Sequence, residues 1–410
     1  MSPVRTKRRG QKRRRARRQD RKPQTSAASN SGIPNGLDGG VLVSATLLAS
    51  LGVVMSYSAT APLAPKSTLL PPLFVDHLGG LGLGLVVAGL CTTLSLRFWR
   101  AAAFPLWALG IGLLIATAFA GVEVNGAQRW WVIPGTSFQF QPVELVKIAT
   151  VMAVALVASR TDGAKEIGIR RTLASIGLAL PPVLLLVAQP DLGNAVLLSG
   201  IVALILFVAG APWRLLLPIG AVGIAGASAF IVSNPYALRR VLGFIDPWKD
   251  ASDSGFQLVQ SFVAFGNGGL YGKGIGNGWQ KLHYLPEVHT DFVLALVAEE
   301  LGLVGVLLVL GAFAALLVAG TRIARSAPNR FGLLLALGLT FLLSLPALVN
   351  AGVVMGVLPT KGLTLPFISY GRTSLVVCLA TAGMLVGITR NHWGMDAKSP
   401  STPAGDRTWR

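Results

Sequence analysis

Asp291, in the stretch YLPEVHTDF (284–292), is an acid at the mouth of a long apolar run. A helix N-terminus keeps such a group ionised, whereas apolar walls push its pKa upward; a base that works near neutrality needs both influences. The same position also suits a plain helix cap, with His289 as an interfacial neighbour, and spacing alone favours neither reading. Groups able to receive negative charge lie in other segments. Arg129, in GAQRWW (126–131), sits beside two indoles that prefer the lipid headgroup level, where a guanidinium grips phosphate through paired hydrogen bonds. Arg239 and Arg240 open RRVLGFIDPW (239–248), directly after another apolar run, and an anionic ligand is the simplest reason for them.

Other clusters read first as structure. Glu144 and Lys147, in FQPVELVK (140–147), stand three residues apart, so they share a helix face and can neutralise each other as a supporting pair. In QPDLG (189–193), Pro190 suits a helix start and Asp191 its cap. Glycines at 272, 274, 276 and 278 resemble a phosphate-cradling loop, but the alternation lacks the P-loop spacing and no strand precedes it. None of His77, His283, His289 and His392 pairs at the helical spacing of a zinc motif, and none lies near Cys91 or Cys378. No metal site is expected, although carboxylates leave room for a divalent cation. Both cysteines sit inside apolar runs, which argues against a disulfide framework.

Composition says which scaffold must position these residues. Of the 410 residues, 52% are hydrophobic and only 13% charged, about half the charge fraction of a soluble domain. Twelve of the 36 Lys and Arg lie between Arg5 and Lys22. That tail accounts for most of the net charge of +19, so a nucleic-acid partner is not expected; basic runs before a first span hold that end near anionic cytoplasmic lipid. The basic stretch is too long for a cleavable signal peptide. Residues 1–38 read as a disordered cytoplasmic tail and 391–410 as a second one. Between them, residues 39–390 form a membrane domain with ten spans, near 39–61, 78–96, 101–120, 143–159, 172–188, 192–209, 214–232, 291–320, 331–350 and 366–389. The fold class is an all-α polytopic membrane protein.

Loop charges orient it. With the N-terminus inside, the cytoplasmic connections carry Arg97 and Arg100, Arg160 to Arg171, Arg214, Arg322 to Arg330, and Arg390. The short outer loops 61–77 and 189–191 hold only Lys66, as the positive-inside rule demands, and an even span count puts both termini in the cytoplasm. Two longer outer segments remain, 121–142 and 233–290. The second mixes charges with Phe256, Phe262, Phe265, Trp279 and Tyr284, and reads as a large, ordered extracytoplasmic loop lying on the membrane surface.

Seven motifs in order, GAQRWW with FQPVELVK, QPDLG, RVLGFIDPW, GFQLVQS, KLHYLPEVHTDF, EELGLVG and NAGVVMGVLPTKGLTLPFISYG, resemble the SEDS family (shape, elongation, division and sporulation). The resemblance covers about residues 40–390, and YLPEVHTDF and LPTKGLTLPFISYG are closer to its division and sporulation members than to its elongation members. It implies a ten-helix peptidoglycan glycosyltransferase of the bacterial inner membrane that polymerises lipid II beside a class B penicillin-binding protein and other divisome proteins, with septal synthesis as its role. It makes Asp291 the catalytic acid–base residue, and Arg129, Glu144, Lys147, Gln189, Asp191, Arg240 and Lys361 its supporting polar residues. Family members often carry Gly where Arg372 stands and Asn where Met355 stands. In the mechanism this implies, Asp291 takes a proton from an acceptor sugar hydroxyl while Arg129, Arg240, Lys361 and Lys281 receive the charge of the departing diphosphate. A lipid II flippase and a non-catalytic divisome scaffold are the rival readings. Asp291→Asn separates the scaffold from the enzyme, and the gathering of polar groups toward the outer face disfavours a flippase.

Overall fold

The computed structural model describes residues 39–65, 68–124, 127–132, 139–160 and 166–396; both expected tails and Lys66 fall wholly or largely outside these. Its helices are α1 (Gly39–Thr60), α2 (Pro72–Thr93), α3 (Leu96–Ala120), α4 (Pro142–Ala158), α5 (Ile169–Ala188), α6 (Leu192–Val208), α7 (Trp213–Ser233), α8 (Pro235–Ile245), α9 (Phe256–Gly268), α10 (Val293–Arg325), α11 (Arg330–Val354) and α12 (Arg372–Asp396). Among the described residues, eight helices are long and apolar enough to cross a membrane: α1, α2, α3, α5, α7, α10, α11 and α12. The fourth and sixth expected spans are α4 and α6, 17 residues each, about 25 Å of helix and just enough to span. With the eight, these two helices stand in the order expected of the ten segments, among the described residues.

Local chemistry explains several boundaries. Ser95 caps α3 by accepting Phe98 N–H at 3.2 Å, and Asn329 caps α11 by accepting Gly332 N–H at 2.9 Å. Pro105, Pro181, Pro182, Pro218 and Pro346 lie inside helices, a placement that neighbouring helices make tolerable in membranes. The short α4 forms the axis of the bundle and is buried along almost its whole length, packing against α3, α5 and α11. Small residues permit these approaches: a Cβ on Gly338 would lie 2.4 Å from Val151, and one on Gly110 2.9 Å from Val146. At the other extreme, α7 buries none of its residues.

The described residues of the two long segments differ in content from simple loops. Residues 122–140 contribute three short antiparallel strands in the order β1 (Val122–Val124), β2 (Ala127–Val132) and β3 (Gln139–Phe140). Trp131 moors β2 to α3 by donating its indole N–H to Thr117 Oγ1. This small sheet is the one departure from an all-α chain among the described residues. The expected loop 233–290 contains α8, α9 and a π-helical turn at Gln280–Tyr284.

A break in α10 accommodates this segment. Gly302 adopts φ 68°, ψ −165° inside the helix, a region that is essentially restricted to glycine. The opened turn takes the glycine-rich chain alongside it: Lys273 N–H donates to Glu299 O and Gly274 N–H to Glu300 O, both at 3.0 Å, and Leu303 N–H donates to Gly269 O at 2.9 Å. A Cβ on Gly302 would sit 2.4 Å from Gly272 N and 2.5 Å from Leu270 O. Gly302→Ala is therefore expected to destabilise the protein by about 1–3 kcal/mol from backbone strain alone, with overpacking in addition. Gly311→Ala, on the same helix with open space around it, should leave stability unchanged or slightly raised. Thermal unfolding of the two purified variants checks the contrast, and equal midpoints would refute it.

The two ends of the bundle differ in chemistry. At one end the basic connections meet: Arg330 donates to Ala209 O at 2.6 Å, Arg100 stacks 5.3 Å from the Phe331 ring, and Gly210 abuts Glu166. At the opposite end lie the 122–140 sheet, the start of α6, and the chain on either side of Asp291.

Candidate active site

The entry to α10 is a shaped turn. Glu287 sits at φ 56°, and its carbonyl accepts the N–H groups of Thr290, Asp291 and Phe292 at 3.1, 3.1 and 3.3 Å. Thr290 Oγ1 also donates to Glu287 Oε2 at 2.8 Å. The helix N-cap is Phe292, which offers no side-chain cap. Asp291 is thus not engaged as a cap, and its carboxylate makes no hydrogen bond among the described residues. It lies against Gly362, where a Cβ would be 2.9 Å from Asp291 Oδ2. Burial pushes the Asp291 carboxyl up to about 7; Glu287 and Asp191 push in the same direction and Arg240 opposes them. Glu287 was not singled out from the sequence, although an acid four residues before another was visible there.

Lys361 flanks Gly362 and leans over the start of α6, its Cε 3.2 Å from where a Cβ of Gly193 would stand. Burial lowers the Lys361 pKa and Asp191 raises it. Asp191 does cap α6: Oδ1 accepts Asn194 N–H at 3.2 Å, and Oδ2 accepts the Asn194 amide at 2.8 Å. The network continues inward, since Lys147 donates to Asn194 Oδ1 at 3.4 Å and to Glu144 Oε1 at 2.8 Å. Glu144 and Lys147 therefore form the expected i,i+3 pair, buried on α4 and joined to the start of α6. Asp191, Lys361, Arg240 and Asp291 share one electrostatic neighbourhood.

Arg129 and Gln189 brace this neighbourhood. Arg129 donates from Nε to Gln189 O at 3.1 Å and from Nη2 to Pro190 O, while Gln189 Nε2 donates to Leu114 O at 2.9 Å. Two of the five guanidinium donors thus hold the QPDLG turn. Arg372 pairs with Asp76 on α2 at 3.1 Å.

Lys281 goes elsewhere. It is buried, 6% exposed at the side chain, and donates to Glu300 Oε1 at 2.8 Å and to Ser58 Oγ at 2.9 Å. The glycine-rich loop is likewise committed. Glu300 accepts Gly276 N–H at 3.0 Å and Gly278 N–H at 3.3 Å, and Glu299 accepts Trp279 N–H at 3.0 Å and Gln280 N–H at 3.1 Å. These amides cradle carboxylates of the protein, and for that physical reason the loop is no phosphate cradle and Lys281 is not grouped with Asp291.

Fold and site together define a multi-pass helical membrane protein with a half-buried carboxylate and cations gathered at one end of its bundle. The chain belongs to the FtsW, RodA and SpoVE family, described as Cell cycle protein, whose family model matches residues 40–393. It is 38% identical over 366 residues to the probable peptidoglycan glycosyltransferase FtsW of Geobacter sp. (strain M18), covering 88% of this chain and 98% of that one. It is 34% identical over 346 residues to stage V sporulation protein E of Bacillus subtilis (strain 168), covering 84% and 94%. Its fold resembles a solved chain described under the structural coordination of polymerization and crosslinking by a peptidoglycan synthase complex (TM-score 0.71, 32% identity, 86% of this chain and 98% of that one). The rod shape determining protein RodA of Thermus thermophilus gives a TM-score of 0.64 at 31% identity, over 87% and 97% of the chains.

Proposed function

We propose that the protein is an inverting peptidoglycan glycosyltransferase that polymerises lipid II on the outer face of the bacterial cytoplasmic membrane, with both termini in the cytoplasm, for septal synthesis beside a class B penicillin-binding protein and the divisome. The activity rests on the names of its relatives and on one observation above all: Asp291 lies unengaged, in the field of Arg240, at the end of the bundle opposite the basic connections. The positive-inside rule makes that end the outer one.

Asp291 removes the proton from the 4-hydroxyl of a GlcNAc. The freed oxygen attacks the anomeric carbon of the donor, the bond from that carbon to the diphosphate oxygen breaks, and polyprenyl diphosphate leaves with the electron pair. Arg240 and Lys361 receive the developing negative charge. Arg129 and Gln189 hold the turn that carries Asp191, and Glu144 and Lys147 anchor the start of α6. The energy is already present in the activated diphosphate, in keeping with a sequence without a nucleotide-binding motif.

Chain formation from purified lipid II, with and without the penicillin-binding partner, tests the activity; no glycan strands under either condition would overturn it. Its pH dependence tests the base. Catalysis needs Asp291 ionised, so kcat/KM falls as pH drops through about 7. Glu287→Gln removes a charge that raises the pKa, and moves this acid limb to lower pH. Arg240→Gln removes one that lowers it, and moves the limb up while also lowering kcat. Limbs that stay fixed in both variants would exclude Asp291 as the titrating group.

A further inference from the structure

The Asp291 carboxylate makes no hydrogen bond among the described residues, so side-chain hydrogen bonds do not fix its position. Its backbone must do so. Around Asp291, three consecutive carbonyls are taken from the same side. His289 O accepts Tyr370 N–H at 2.8 Å, Thr290 O accepts Ser369 Oγ, and Asp291 O accepts Asn350 Nδ2 at 2.7 Å. Each of the two side chains makes a second bond into the segment that ends at Tyr370. Asn350 Nδ2 also donates to Leu363 O at 2.7 Å, and Ser369 Oγ accepts Leu365 N–H at 2.7 Å.

Asn350 and Ser369 are 1% and 5% exposed, so water does not compete for these bonds. The Asn350 amide faces two carbonyl oxygens and must present its NH₂ to both. Its Oδ1 is thereby turned into a buried position with no partner among the described residues. Such a buried, unsatisfied oxygen is a cost in stability that an apolar side chain would avoid. The clamping segment is itself over-determined: Phe367 is buried at φ 66°, with its carbonyl against Gly52, where a Cβ would come within 2.3 Å.

We propose that Asn350 and Ser369 are positioning residues, which lock the 289–291 backbone to the 363–370 segment and so hold the Asp291 carboxylate at Gly362. The inference rests on the reading of Asp291 as the base. Asn350, in the last turn of α11, reaches the base and the loop carrying Lys361 and Gly362 with one amide; Ser369 reaches the same two segments with one hydroxyl. The pair therefore sets the distance between the proton acceptor and the cation side of the site.

The test is steady-state chain formation from lipid II by purified protein with its penicillin-binding partner, expressed per folded molecule. Asn350→Ala is expected to lower kcat about 10–100-fold with KM for lipid II within about twofold, because a misplacement of the order of 1 Å costs that much in rate. Thr and Val have the same shape, so Ser369→Thr and Ser369→Val separate the hydroxyl from bulk. Thr should retain at least about tenfold more kcat than Val. A wild-type kcat in Asn350→Ala, an effect on KM alone, or equal rates for the Ser369 variants overturns the proposal. Should Asn350→Ala fail to fold, the Ser369 pair decides. Asp291→Asn is assayed alongside: activity there would sink the base assignment itself, whereas a dead Asp291→Asn beside normal Asn350→Ala and Ser369→Val sinks only the positioning role.

Discussion

Asp291→Asn is expected to bind lipid II as the native protein does and to lose chain formation by about 10²–10⁴-fold, the range that a positioned general base contributes. The amide is isosteric with the carboxyl, and no hydrogen bond among the described residues depends on the charge. It cannot accept a proton at any accessible pH, so the acid limb disappears along with the rate. Folding should not suffer. Burial raises the Asp291 pKa to about 7, above its unfolded value. Ionisation therefore costs stability above the unfolded pKa, and the neutral variant should be as stable at pH 8 or slightly more so. Loss of activity together with loss of fold would leave a structural explanation standing; normal chain growth in a folded variant would remove Asp291 from the chemistry.

The largest expected effect on stability lies elsewhere, at Glu300. Its carboxylate is fully buried and serves Ser58, Lys281 and the amides of Gly276 and Gly278 at once, linking α1, α10 and the loop before α10. Glu300→Ala leaves the Lys281 ammonium buried without its counter-ion, and breaking such a pair costs about 3–5 kcal/mol. Lys281→Met should cost less, because the loop amides and the Ser58 hydroxyl still serve the carboxylate. Lys281→Met combined with Glu300→Gln should cost less than the sum of the two single changes, since the two sites are in direct contact. Thermal unfolding in detergent compares the native protein with Glu300→Ala, Lys281→Met, Glu300→Gln and the double variant. Additive losses, or a Glu300→Ala midpoint equal to the native one, would show that the buried pair does not hold the loop. Lys281→Met should also retain lipid II affinity once folded, which separates its structural part from the substrate contact that the sequence suggested.

The spans were legible because each is a long apolar run, a signal that needs no knowledge of what packs against it. Glu144 with Lys147, and Asp191 as the cap of α6, were legible for a related reason: their partners lie three residues away on the same helix. Asp291 stood out as an acid at the edge of an apolar run, but spacing could not decide between a cap and a base. The tertiary structure decides against the cap, with Phe292 at the N-cap position and the carboxylate turned to Gly362. It also assigns Lys281 to Ser58, 223 positions away, and the loop amides to Glu299 and Glu300.

Asn350 and Ser369 lay within a motif visible from the start, yet nothing local marked them as holding the backbone of residues 290 and 291. Sequence by itself determined what lies within one segment: the long apolar runs, their order and the short-range pairs. Only the folded chain decided which buried polar groups meet. Each must find a partner in a medium without water, and on a helical scaffold the partner of a side chain at one end is set by which helix ends pack beside it.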